Sequence, residues 1–398
     1  MKLIIFSLLF SFNTLGIDFN KAIEIINNHD EVQILEFKRQ SIKQLGLEKS
    51  SWGDPMVKVS AKNYPVDTLK SDQTPMTGIE FGLSQKISLT NKSSNIKGAF
   101  DLMSESINLE KQEYKRILIK ELWILGINKD QLLKDKDIIK DNIEWVKKLL
   151  KISKKLYSNG RISQQVLFDF QIRKSELESS YEAKDYQIKE LDSKVSYLLN
   201  LKSSTLNDKT FPWHLLDSYN LSKTPKELSF EKKIRAKELQ VVAKKKNLIP
   251  DVTFSVGYTK RSNIDNRGDF ASASIVFPLP FSDVKHSSLK DAIIEKESAI
   301  RSLYNFKSKR DSKLEELDYR VRKLQRELDI LKEKTIVFAQ NSRDISAKSY
   351  SVGKASYLEV LNSELKLQAL QIQRNGLEAM LRATRLEKKF ISGDKLND

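Results

Sequence analysis

The spacing of hydrophobic positions changes several times along the chain, and each change predicts a new element. Over 17–50, Ala22, Ile23, Ile25 and Ile26, then Ile34, Leu35, Ile42 and Leu45, predict a helical segment. Asp54-Pro55 ends it and the period becomes two. Val57, Val59 and Ala61 take one face, while Lys58, Ser60 and Lys62 take the other. After a polar loop over 65–75, Ile79, Phe81 and Leu83 alternate with Glu80, Gly82 and Ser84. This is the signature of a hairpin of two half-apolar strands. Helical spacing returns near Asn95 and persists through Leu118, Leu122 and Leu125, and through Leu149, Ile152 and Leu156, with no proline before Tyr157. At about 1.5 Å per residue, some 60 residues make a rod of roughly 90 Å. Uncapped helical patterns of that length suggest a coiled coil. Ser158-Asn159-Gly160 breaks the rod, since Asn and Gly tolerate a left-handed C-terminal cap. A return helix over 163–199 completes a long antiparallel hairpin.

The chain then repeats itself. A polar linker containing Pro212 and Pro225 leads to a short helix over 227–248. A second strand hairpin sets Val252, Phe254, Val256 and Tyr258 against Thr253, Ser255 and Gly257. It continues with Ala271, Ala273, Ile275 and Phe277 against Ser272 and Ser274. A second rod over 286–350 carries Leu324, Leu328 and Leu331 in register, turns at Gly353, and returns through Leu358, Leu361, Leu365 and Ile372 to Ile391. The correspondence reaches individual residues. Tyr157-Ser158-Asn159-Gly160-Arg161-Ile162-Ser163 returns as Tyr350-Ser351-Val352-Gly353-Lys354-Ala355-Ser356. Pro55-Met56-Val57-Lys58-Val59-Ser60 returns as Pro250-Asp251-Val252-Thr253-Phe254-Ser255. Both pairs lie at nearly the same offset, so about half the protein is duplicated, a period far longer than that of a solenoid or propeller.

Four strands with one apolar face have little to pack on beside long rods. In a membrane such strands must close into a barrel, because unpaired backbone groups cannot face lipid. Four are too few, since membrane barrels begin at about eight strands. Further copies of the chain must complete the sheet, and cyclic symmetry with three copies gives twelve strands. A water-soluble four-stranded sheet beside a coiled coil is the alternative on periodicity alone.

Composition narrows the reading. Of 398 residues, 39% are hydrophobic and 31% charged, with 13 Gly and 8 Pro, a balance that favours long helices with a wet face. The absence of Cys excludes disulfides, thiolate metal sites and lipid attachment through a lipobox. Lys2, the apolar run over 3–12 and Thr14-Leu15-Gly16 read as an export signal over 1–16, too short for a spanning helix of about 20 residues. The net charge of +16 does not indicate nucleic acid, because 69 Lys+Arg are dispersed among 53 Asp+Glu instead of clustering with aromatics. Three isolated His, no Ser/His/Asp grouping and no Gly-rich phosphate loop argue against an enzyme, and nothing calls for a cofactor. Three His and five Met without chelating spacing offer no metal site.

At the second turn the residues resemble a known family. Tyr350-Ser351-Val352-Gly353-Lys354-Ala355-Ser356-Tyr357-Leu358-Glu359-Val360-Leu361-Asn362-Ser363 resembles the second periplasmic-tip motif of TolC-like outer-membrane efflux proteins, and 157–170 resembles the first. The duplicated order of strand hairpin and helical hairpin is also that family's, over nearly the whole chain. Asp54-Pro55, Asn63-Tyr64-Pro65 and Gly82-Leu83-Ser84-Gln85 resemble the branch paired with heavy-metal pumps. The resemblance implies a mainly α homotrimer. Duplicated helical hairpins would form an α-barrel in the periplasm, and four strands per chain would build a shared twelve-stranded β-barrel in outer-membrane lipid. It would be a passive conduit docking on a periplasmic adaptor and, through it, an inner-membrane pump. The corresponding segments are a signal over 1–16, a helical segment over 17–53, a first β-hairpin over 54–91, and a first helical hairpin over 92–205 with its tip near 157–163. A linker and equatorial helix follow over 206–249, then a second β-hairpin over 250–282. The second helical hairpin spans 283–392 with its tip near 350–356, and the tail 393–398.

By the same resemblance, Asn159, Gly160, Arg161, Val352, Gly353 and Lys354 are the adaptor-docking tips. Glu359 and Asn362 occupy the family's gate positions. Asn362 departs from the acidic pattern, and Asp169, its counterpart in the first repeat, is a compensating charge. Three copies of Glu359 would form a negative ring favouring cations. Arg161 and Lys354 are candidates for pairing with acids on neighbouring helices, each pair worth about 0–1 kcal/mol. Phe254, Tyr258, Phe277, Phe281, Tyr64 and Phe81 are candidates for lipid-facing or interfacial aromatics. The competing readings are a periplasmic coiled-coil adaptor, which usually carries one hairpin instead of two, and a coiled-coil structural protein.

Overall fold

The computed structural model describes residues 16–262, 264–279 and 283–397. The export signal, apart from Gly16, lies outside the described residues, as do Phe281 and Asp398. Fifteen elements follow in order. The principal ones are α1 (Phe19–Asn27), α2 (Asp30–Ser50), β1 (Met56–Lys62), β2 (Gly78–Ile87), α3 (Lys92–Ser158), α4 (Gln164–Leu198), α5 (Pro225–Lys246), β3 (Val252–Arg261), β4 (Phe270–Val276), α6 (Val284–Ile330), α7 (Ile336–Ser351) and α8 (Tyr357–Ile391). The single helix expected over 17–50 is two, because Asn28 leaves helical geometry and α2 restarts at Asp30, placing Asp30 and Glu31 at its N-terminal dipole. The second rod is also interrupted. Leu331–Thr335 forms one π-helical turn between α6 and α7, a feature that spacing of leucines does not reveal. The polar linker contains two short 3-10 turns, Asp208–Thr210 and Trp213–Leu216.

The residues divide into two compact units, and neither is one half of the duplication. One unit comprises 34–111 and 225–307, the other 16–33, 112–224 and 308–397.

The first unit holds the sheet. Its strands run in the order β1-β2-β3-β4, every neighbour antiparallel. The register puts Val57, Leu83, Val256 and Ala273 in one row, and Val59, Phe81, Tyr258 and Ala271 in another. Alternation therefore survives across all four strands as a single apolar face, and that face is bare. Val57 is 76% exposed, Val59 64%, Val256 59% and Phe81 52%. The opposite face is polar. Glu80 is buried there, with Lys62 Nζ at 2.8 Å, Lys58 Nζ at 3.4 Å and the Ser60 hydroxyl donating at 3.1 Å. Arg261 is buried on the same face, paired with Asp265 at 2.5 Å and stacked on the Phe270 ring at 4.2 Å. On α2, Glu36 accepts from Arg39 at 2.5 Å and from Lys111 at 2.7 Å, and these two cations hold its carboxyl well below the usual range.

The second unit is helical and packs in three clusters. Trp123 lies at the centre of the first, with Phe19 at 4.9 Å, Phe211 at 5.5 Å and Trp213 at 5.7 Å between ring centroids. Its indole N–H, which burial would otherwise leave unsatisfied, donates to the Leu396 carbonyl at 2.9 Å. The linker thereby becomes part of the core. Leu118 and Leu122 join this cluster, and Leu324, Leu328 and Leu331 form another with Leu377 and Leu381, as their spacing predicts. On α8 the buried face is not the leucine series read from the sequence. Leu358 and Leu365 are exposed, while Val360, Glu364 and Leu367 are buried. The chain's own core uses one stripe of α8 and leaves the second partly open, with Leu358 and Leu365 exposed and Leu361 and Ile372 half-buried.

Candidate functional site

The two interhelical turns share one construction. At the first, Gly160 has φ +70°, its N–H bonds the Tyr157 carbonyl at 2.9 Å, and the Arg161 N–H bonds the Leu156 carbonyl at 2.9 Å. At the second, Gly353 has φ +78°, its N–H bonds Tyr350 at 2.9 Å, and the Lys354 N–H bonds Ser349 at 2.8 Å. These are paired Schellman caps, in which a left-handed glycine lets two orphan carbonyls of the helix end be satisfied. Ser356 then starts α8, its hydroxyl accepting from the Glu359 N–H at 3.3 Å. Asn159, Gly160, Arg161, Val352, Gly353 and Lys354 are all exposed. Neither Arg161 nor Lys354 makes an ion pair within the chain among the described residues. Between the turns lies a groove of about 480 Å³, lined by Leu156, Ile162, Val166, Tyr350, Ala355 and Tyr357 among others.

A core just behind the turns holds the two hairpins together. Leu149 and Leu156 of α3, Val166 and Phe170 of α4, Tyr350 of α7 and Val360 of α8 are all buried in it. The Ser153 hydroxyl and the Tyr350 phenol share a hydrogen bond of 2.8 Å, and burial pushes the phenol above its ordinary pKa.

The expected gate residues separate. Glu359 and Asn362 are exposed on α8, and among the described residues neither side chain makes a hydrogen bond or ion pair with another helix. Asp169 is half-buried on α4 and is already engaged. It accepts from Gln165 at 3.0 Å and from the Tyr357 hydroxyl, a bond that raises the phenol's pKa.

One charged group was not anticipated. Glu364 is wholly buried on α8, and Arg173 of α4 grips both its oxygens, Nε at 3.1 Å from Oε2 and Nη2 at 3.2 Å from Oε1. Gln368 accepts from the same guanidinium, and Glu176 lies 3.4 Å from it. Arg343 of α7 adds a further positive field, yet burial still dominates and holds the Glu364 carboxyl above the usual range. An acid at i+4 from Val360 and three before Leu367 is the sequence signal for this pair, an ionisable residue inside an apolar stripe.

Among the described residues no three His, Cys, Asp or Glu side chains group as a metal site, and no helix is long and apolar enough to cross a membrane. Aromatic candidates on the sheet are accessible. Phe81, Phe254, Tyr258 and Phe277 are exposed, and Tyr64 is half-buried.

No family model and no curated protein matches the sequence. Solved structures do match. The chain is similar to the outer-membrane channel OprN, with a TM-score of 0.77 and 14% identity over 96% of this chain and 91% of that one. It is similar to CusC, whose structures concern folding and transmembrane channel formation, with a TM-score of 0.76 and 13% identity over 96% and 93%. It is also similar to the outer membrane protein VceC from Vibrio cholerae, with a TM-score of 0.75 and 15% identity over 95% and 96%. The fold is the one these TolC-like outer-membrane channels share, over nearly all of each chain.

Proposed function

We propose that this chain is one third of an outer-membrane channel-tunnel, a passive conduit of a tripartite efflux or secretion system. The observation that carries this reading is the bare apolar face of the four-stranded sheet, backed by a polar face rich in charge. Water penalises that arrangement in an isolated chain, at about 25 cal/mol per Å² of exposed apolar surface. Lipid outside and water inside a barrel reverse the balance.

The sheet's two edges support closure by further copies. Strand directions alternate from β1 to β4, so β4 of one copy meets β1 of the next in antiparallel sense, the same sense as every pairing inside the chain. Three copies supply twelve strands and leave no unpaired edge. The uncovered Leu358 and Leu365 stripe on α8 and the exposed Val337, Phe338 and Ile345 on α7 suit helix contacts between copies. The capped turns form the periplasmic docking end for an adaptor, with the groove between them as its seat. Exposed Glu359, next to Asn362, is the candidate constriction, and its charge makes the conduit cation-preferring. Metal cations are one fitting cargo; the pump to which such a conduit couples sets the choice.

Closure between copies is testable because the chain has no native Cys. Cysteines placed on the outward face of β1 (Val57 or Val59) and of β4 (Ala273 or Ile275) are scanned in pairs in membrane-inserted protein. A pair in register gives, on oxidation, bands of two and three linked chains and nothing larger. A ladder extending beyond three, or no cross-link from any pair in folded protein, contradicts the reading.

A further inference from the structure

The duplicated turns are alike in backbone, but the helices that lead into them differ in charge. In the middle of α3 three lysines are paired with acids. Lys129 meets Asp192 at 2.9 Å, Lys134 meets Asp130 at 2.8 Å, and Lys136 meets Asp185 at 2.5 Å. Nearer the turn this stops. Lys147, Lys148, Lys151, Lys154 and Lys155 are all exposed, and only Lys147 has an ion pair among the described residues, with Glu144 at 2.6 Å. At 100° per residue these five positions, with Lys140 above them and Glu144 lying among them, share one face opposite the buried Val146, Leu149 and Ser153. Like charges at i, i+3 and i+4 repel, and a single acid, Glu144 paired with Lys147, offsets only part of that repulsion.

The second repeat lacks the stripe. With Gly160 set on Gly353, Lys147 corresponds to Gln340, Lys148 to Asn341, Lys151 to Asp344 and Lys154 to Ala347; only Lys155 keeps a positive counterpart, Lys348. The equivalent positions of α7 are thus mostly neutral or acidic. Duplication alone would have made the two faces equal, so the charge belongs to one repeat only.

We propose that the α3 stripe is an electrostatic docking surface for an acidic helix of the periplasmic partner, laid along α3 for about four turns above the Gly160 turn. This rests on reading the turns as the docking end. The partner's matching face carries Asp or Glu at helical spacing (i, i+4, i+7), and the first hairpin, not the second, receives it. Association is steered by long-range attraction and therefore weakens with salt.

The test uses the full-length assembled protein in nanodiscs and, as probe, a designed helical hairpin with Glu at i, i+4, i+7 and i+11 on one face. The same hairpin with Gln at those positions and phosphatidylglycerol vesicles are the comparisons. The Glu hairpin is expected to bind at least tenfold more tightly than the Gln hairpin and to weaken at least tenfold between about 50 and 200 mM salt. The triple variant Lys148→Glu/Lys151→Glu/Lys155→Glu is expected to lose that preference while ion conductance and selectivity stay unchanged. Moving the charge, with Asn341→Lys/Asp344→Lys, is expected to create a second Glu-hairpin site. Equal binding of both hairpins overturns the proposal. So does a triple variant that shifts ion selectivity but not hairpin binding, which would place the lysines on the channel wall. Tighter binding to vesicles than to the Glu hairpin overturns it in favour of a lipid surface. Absence of conductance in the parent protein counts against the channel reading, while the hairpin titration still decides this one.

Discussion

Arg173→Met should loosen the helices behind the two turns far more than loss of an exposed ion pair would. Glu364 is fully buried and its two oxygens are held by one guanidinium at 3.1 and 3.2 Å. Removing that partner strands a carboxylate in a site water does not reach, which costs about 3–5 kcal/mol. Arg343 also acts on Glu364, so the lower end, about 3 kcal/mol, is expected. At 1.4 kcal/mol per decade this is about a 100-fold loss of protection. Hydrogen exchange of α4 and α8 amides around Arg173 and Glu364 reads that loss locally. Arg173→Met/Glu364→Leu removes both charges and should return to within about 1 kcal/mol of the parent, since a buried pair is often no better than an apolar replacement. The pH dependence has a definite sign. The folded carboxyl sits above its unfolded value, so its contribution is fully present below the unfolded pKa and is lost as pH rises through the folded one. Arg173→Met raises the folded pKa further, so the variant's deficit should shrink on acidification towards pH of about 5, near the carboxylate range. A single variant that loses less than about 0.5 kcal/mol, or a double variant that loses the sum, refutes the reasoning.

Gly353→Val should cost about 1–2 kcal/mol through the left-handed backbone alone, because a Cβ there meets no atom within 4 Å; Gly353→Asn should recover most of it, and denaturation of the detergent-solubilised protein checks both. Leu83→Arg, on the apolar face, should cost about 2–4 kcal/mol in lipid, whereas Ser84→Arg on the polar face should be near neutral. Folding yield into liposomes separates the two, and equal effects would contradict a lipid-facing sheet.

Much of this was legible in the residues because period and punctuation agree. Alternation at Val57, Phe81, Val256 and Ala273 fixed both the strands and their shared face, and Gly160 and Gly353 marked the turns. The break at Asn28 and the π turn at Leu331–Thr335 were not legible, since both lie inside patterns whose apolar spacing continues through them. The α8 register misled for a physical reason. That helix carries two apolar stripes, and the one that begins with Leu358 and Leu365 is not the one the chain buries. Glu364 was hidden by the same choice, because on the wrong register it reads as a solvated residue. Asp169 was placed from its match to Asn362, but no spacing argument reveals that Tyr357 holds it.

Single-channel recording in a planar bilayer, on purified assembled protein and on Glu359→Ala, tests the central claim most directly. Small cation-selective steps, larger or less selective in Glu359→Ala, are the result expected of a three-copy channel narrowed by that side chain. Folded, membrane-inserted protein that conducts no ions would contradict it.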